Sequence, residues 1–160
     1  MWGPPMDELI AFLRARWDEE EADARSAAEV YGARWWWNPA FGLVKGDPDS
    51  DPEATSIFSL GEETVAEVWS EVGPHIARHD PARVLAEIEA KRRILAMHSN
   101  DAGDCSTCGR NSYEENPGAH LRDEPEMIDV WRPASWPCAT LRLLALPHAG
   151  HPDYRPEWKP

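Results

Sequence analysis

The residue types in this chain best suited to chemistry are its three cysteines. Cys105 and Cys108 form a C-x-x-C step, and Cys138 follows thirty residues after Cys108. His98 lies seven residues before the pair. Zinc takes four soft or borderline ligands, and C-x-x-C supplies two of them from a single turn. Cys138 precedes a leucine-rich stretch that reads as a helix, and a helix N-terminus favours thiolate. We therefore expect His98, Cys105, Cys108 and Cys138 to form a tetrahedral Cys3His site. His120, His148 and His151 are rival fourth ligands. Such a site would be structural, because four protein ligands leave no open position for water.

A second group is His75, His79 and Asp80. On a continuous helix His75 and His79 would share a face and could hold a metal, which makes a metal-dependent hydrolase the alternative reading. However, Asp80-Pro81 signals a helix start, so capping and packing are the preferred account of these residues. A third group is Trp35-Trp36-Trp37. In a strand, Trp35 and Trp37 face one side and Trp36 the other, so one side can be core and the other a protein-binding surface. The chain has no G-x-S-x-G, P-loop, dinucleotide fingerprint or H-E-x-x-H, and we identify no catalytic residue.

These groups must be positioned by regular elements. Leu9, Phe12, Leu13, Trp17, Ala24, Ala28 and Tyr31 recur at spacings of three and four, which predicts a helix over 6–31 that stops at Gly32. Residues 34–60 are expected to form a β-hairpin, with Gly46 to Pro52 as an acidic turn and Ala54 to Leu60 as the second strand. Residues 62–98 read as helices, broken at Gly73-Pro74 and restarted at Asp80-Pro81. The second of these carries Glu87–Lys91 and Glu89–Arg93 pairs. Residues 99–134 are polar and aperiodic and predict a long loop holding the C-x-x-C. Residues 135–160 predict a short helix capped by Ser135, then an extended, proline-rich tail.

Length and composition set the frame. The chain has 160 residues, 42% of them apolar, with nine tryptophans. We read it as one α+β domain spanning 1–160. It is mainly helical, with a small antiparallel β-hairpin and a zinc-pinned C-terminal segment. A formal net charge of −13 disfavours direct contact with phosphate backbones and anionic lipid. Its plain reading is solubility; its sharper readings are a protein partner with a basic surface, or mimicry of nucleic acid by a phage or defence factor. No segment reaches the ~20 apolar residues of a membrane span, and the N-terminus lacks the order of a signal peptide. The expected location is the cytoplasm, where cysteines serve as metal ligands more often than as disulfides. The oligomeric state is not legible.

Three stretches carry a resemblance. They are Asp7-Glu-Leu-Ile-Ala-Phe-Leu-Arg-Ala-Arg16, the run His75-Ile-Ala-Arg-His-Asp-Pro-Ala-Arg-Val-Leu-Ala-Glu-Ile-Glu-Ala-Lys-Arg-Arg-Ile94, and Pro137-Cys-Ala-Thr-Leu-Arg-Leu-Leu-Ala-Leu-Pro147 followed by His151 to Trp158. Together they resemble a family of small proteins of unknown function from actinobacteria and their phages. The resemblance implies an intracellular bacterial or phage origin. It implies no activity.

Overall fold

A computed structural model describes residues 5–46, 63–68, 71–116 and 127–160. The chain is α+β and divides into two compact units: Met1–Leu13 with Arg92–Pro160, and Arg14–Lys91. Helix α1 (Pro5–Tyr31) and helix α3 (Pro81–Met97) contribute residues to both.

In the Arg14–Lys91 unit, α1 ends at Gly32, whose φ of +76° and N–H to the Ala28 carbonyl (3.0 Å) stop the helix. Strands β1 (Trp35–Asn38), β2 (Leu43–Gly46) and β3 (Glu63–Glu67) then form an antiparallel sheet in that order. The hairpin turns earlier than expected. Asn38-Pro39 has the chemistry of a tight turn, and the Asn38 Oδ1 accepts the Ala40 N–H at 3.1 Å. Both hairpin strands therefore lie within 35–46. The strand expected over 54–60 falls outside the described residues.

β3 occupies a position where helix was expected. Val65 and Val68 fit a helical period, but Thr64 pairs with Lys45 and Ala66 with Val44 of β2, Val65 falling at the irregularity between them, and that pairing decides the local structure. Helix α2 (Gly73–Arg78) follows, so Gly73-Pro74 starts a helix instead of breaking one. A Cβ on Gly73 would lie 2.0 Å from the Trp37 ring, so the indole sits directly on that glycine. Asp80 Oδ1 accepts the Arg83 N–H at 2.8 Å and starts α3 as its sequence predicts. Lys91 pairs with Glu20 at 3.3 Å, and Glu87 takes Arg83 instead. Trp17, Val44, Pro81 and Ile88 are fully buried.

In the other unit, the expected loop over 99–134 is largely strand. β4 (Asn100–Asp101), β5 (Asp104–Glu115) and β6 (Met127–Ser135) form a second antiparallel sheet. Ala102 (φ 52°) and Gly103 (φ 102°) make the two-residue β4–β5 turn, a left-handed pair that matches strand twist. Helix α4 (Ala139–Ala145) starts with Cys138, not Ser135, as its N-cap residue. Its Leu141 and Ala145 are fully buried and Leu144 is half-buried.

The tail is not simply extended. It forms short 3₁₀ turns at Leu146–His148 and Pro156–Trp158. The rings of His148, His151, Tyr154 and Trp158 surround Phe12 at centroid distances of 5.1–6.1 Å. Arg155 lies 5.8 Å over the Trp158 ring and pairs with Glu8.

Candidate metal centre

The β5–β6 ladder runs in register from Gly109↔Pro133 to Glu115↔Met127, and Asp104 pairs with Ser135. Residues 105–108 therefore face only position 134 of β6 and form a bulge in that ladder, while Cys105 stays paired with Asn100 of β4. The bulge turns both cysteine side chains to one side, and the Cys108 N–H points at Cys105 Sγ at 3.4 Å. The two residues between the cysteines anchor the turn to the end of α3. The Ser106 hydroxyl donates to the Met97 carbonyl at 3.2 Å, and the Thr107 hydroxyl donates to the same oxygen. Ser106 also bonds Ser99 through its N–H (3.0 Å) and its hydroxyl (2.9 Å). These hydroxyls satisfy a carbonyl that the ended helix leaves open.

His98 immediately follows α3, and its own carbonyl accepts the Trp136 indole N–H at 3.0 Å. Cys138 is held at the start of α4. As a result, His98 Nδ1 lies 3.4 Å from Cys105 Sγ, 3.3 Å from Cys108 Sγ and 3.5 Å from Cys138 Sγ. All four ligand atoms fall within 4.8 Å of one another, with Cys105 and Cys138 buried and His98 and Cys108 half-buried. A zinc ion with ordinary Zn–S and Zn–N bonds has N···S edges of about 3.5 Å and S···S edges of about 3.8 Å. The observed N···S separations match that tetrahedron, so the cluster is compatible with a zinc site. The cysteines are free thiols.

The thiols differ in acidity. Burial pushes Cys138 up, but the Leu141 N–H, the Cys108 and Cys105 thiols and the Thr140 N–H outweigh it, and the net direction is down. Burial pushes Cys108 up, opposed by the Thr140 hydroxyl and reinforced by Cys138 and Cys105. Cys138 is thus the first of the pair to offer a thiolate.

The rival ligands are elsewhere. His148 and His151 sit against Phe12, and His120 lies outside the described residues. His75 and His79 stack with centroids 4.3 Å apart, and the His79 Nδ1–H donates to the His75 carbonyl at 2.8 Å. Asp80 accepts backbone N–H groups from Arg83 and Trp35 (2.8 and 3.4 Å), so its carboxylate is taken up by capping. Among the described residues, the Cys3His group is the one cluster with metal-binding geometry.

Of the three consecutive tryptophans, Trp36 is exposed and Trp35 and Trp37 are half-buried, as strand alternation requires. Sequence reasoning missed Ser106, Thr107 and Trp136 as supports of the site. The available signal was a pair of hydroxyl residues shortly after a helix end. It also missed Tyr113, Met127 and Trp131, which lie exposed on one face of the β5–β6 ribbon.

An α+β chain carrying a Cys3His cluster fit for a metal is the class that this fold and site define. The chain belongs to the Family of unknown function (DUF6221), whose model matches residues 6–160. No curated protein and no solved structure matches it. No described helix is long and apolar enough to cross a membrane.

Proposed function

We propose that this protein is a non-catalytic protein-binding adaptor or regulator, built on a structural zinc ion held by His98, Cys105, Cys108 and Cys138. The observation that carries the reading is the closed four-ligand arrangement, with all ligand atoms within 4.8 Å of one another. Four protein ligands fill a tetrahedron and leave no site for substrate or activated water. Thiolate ligation suits a reducing compartment, the cytoplasm. The net charge of −13 favours a partner with a basic surface, and the exposed Trp36, Tyr113 and Trp131 supply aromatic contact area of the kind that interfaces use.

The test is elemental analysis of purified, untagged protein beside the Cys105→Ser, Cys108→Ser double variant. The expected result is one zinc per chain in the parent, with both the zinc and the order of residues 99–116 and 127–138 lost in the variant. A metal-free, fully folded parent would end the zinc reading. Turnover of a substrate by the pure protein would end the non-catalytic one.

A further inference from the structure

The Arg14–Lys91 unit contains an open cavity of about 250 Å³. Small side chains create the space. Ala24 and Ala27 on α1 leave room that Trp35 on β1 and Pro81 and Val84 on α3 wall in. The Trp35 ring is fixed, since its indole N–H donates to the Gly32 carbonyl at 3.0 Å and its backbone N–H donates to Asp80 Oδ2 at 3.4 Å. The polar groups of the lining are Glu20, Asp23 and His79. Glu20 is shared with Lys91 at 3.3 Å, whereas Asp23 shows no ion pair or hydrogen bond among the described residues. Sites for drug-sized ligands start near ~300 Å³, so this cavity suits a single side chain.

The combination of apolar walls, a fixed indole and two carboxylates one helical turn apart selects an amphipathic cation. Arginine fits best, because its methylene stem can line the alanine and proline walls while its planar guanidinium stacks on an indole and donates to carboxylates. A second copy of this chain is a poor occupant, since two chains of charge −13 repel. The cavity also gives a role to His79-Asp80-Pro81, which the metal centre leaves unused. Pro81 and His79 line the cavity, and Asp80 holds Trp35 in place.

We infer that this cavity is the socket for an arginine side chain presented by the basic partner. The inference deepens the adaptor reading and rests on it for the identity of the partner, but the socket can be tested without one. The experiment follows the indole N–H resonances of the full chain by NMR while Nα-acetyl-arginine amide is added at low salt. The Trp35 signal is assigned with Trp35→Phe, and Nα-acetyl-citrulline amide serves as the neutral isostere. The expected result is a saturable Trp35 shift with the arginine probe and none with citrulline. Asp23→Asn should weaken binding about fivefold, in line with the loss of one partly exposed charge contact. Ala27→Leu should abolish it while the circular dichroism spectrum stays that of the parent. An equal response to citrulline, an unchanged response in Ala27→Leu, or no response at all would overturn the socket. None of these results bears on the zinc content, so failure of the socket and failure of the structural-zinc reading are separable.

Discussion

Two clusters in the same unit hold chain segments that lack any apolar period, and they do so by opposite physics. Around Phe12, the proline-rich tail is fixed by rings: His148, His151, Tyr154 and Trp158 pack at 5.1–6.1 Å, and Trp158 is 5% exposed. Around His98, the bulge at residues 105–108 is tied to the end of α3 by hydroxyls and brings its two thiols into a converging set of ligand atoms. The first cluster draws on area removed from water, roughly 25 cal/mol per Å². With the proposed zinc bound, the second would gain its energy from deprotonated ligands meeting the metal, on the order of 10 kcal/mol in small zinc modules. A polar segment can therefore be as firmly held as an aromatic one, provided its ligands converge.

Chelation should separate the two clusters most strongly. A strong chelator at neutral pH should disorder residues 99–116 and 127–138 and leave the tail in place, read as new proteolytic cleavage within those two segments but not after Pro147. Trp158→Ala should do the reverse. It should cost about 3–5 kcal/mol in denaturant unfolding while zinc content stays unchanged. If zinc were lost with the Trp158 ring, the two clusters would not be independent.

A finer test addresses the hydroxyls that seat the C-x-x-C turn. The Ser106→Ala, Thr107→Ala pair should leave zinc stoichiometry intact and weaken affinity about tenfold in competition with a chromophoric chelator, the usual loss for groups that orient ligands. An unchanged affinity would assign positioning to the ladder bulge alone.

The smallest effect belongs to an exposed ion pair, which serves as a reference for both clusters. The Arg83 side-chain hydrogen bond at 2.7 Å holds the Glu87 carboxyl below its ordinary value, against the opposing effect of burial and aided by the charges of Arg83, Lys91 and His79. A folded pKa below the unfolded one means that the contribution is present above the ordinary glutamate range. It is lost as pH falls through the lowered folded value. Because both side chains are about half exposed, solvent screening limits it to about 0.3 kcal/mol. Glu87→Gln should remove that increment at pH 7 and leave acid stability below pH ~3 unchanged, measured by urea unfolding at both pH values.

The candidate cysteines were legible because they depend on residue type. Cys105, Cys108 and Cys138 stand out by chemistry, His98 was one of four histidines on offer, and the structure brings His98 together with the three cysteines. Helix ends were legible for a similar reason: Gly32, Asp80 and Pro81 act through their own backbone and side-chain limits, and α1 and α3 end or begin on them. The β5–β6 ribbon was not legible. Asp104 to Glu115 carries no alternation of apolar and polar residues, since Arg110, Asn111 and Ser112 follow one another, and its strand identity exists only through β6. β3 was misread as helix for the same reason, with β2 supplying the deciding bonds.

What the sequence determined alone was therefore local: which residues could ligate, where helices must start and stop, and that Trp36 would face away from its two neighbours. What only the tertiary structure decided was pairing. It selected His98 over His148 and His151, because the end of α3 meets the bulge at residues 105–108 while both rivals lie against Phe12. It also built the Trp35 cavity from residues as far apart as Glu20 and Val84. Capping and ligand chemistry act within a few bonds and can be read along the chain. Strand ladders and cavities arise between segments distant in sequence, and no local pattern encodes their partner.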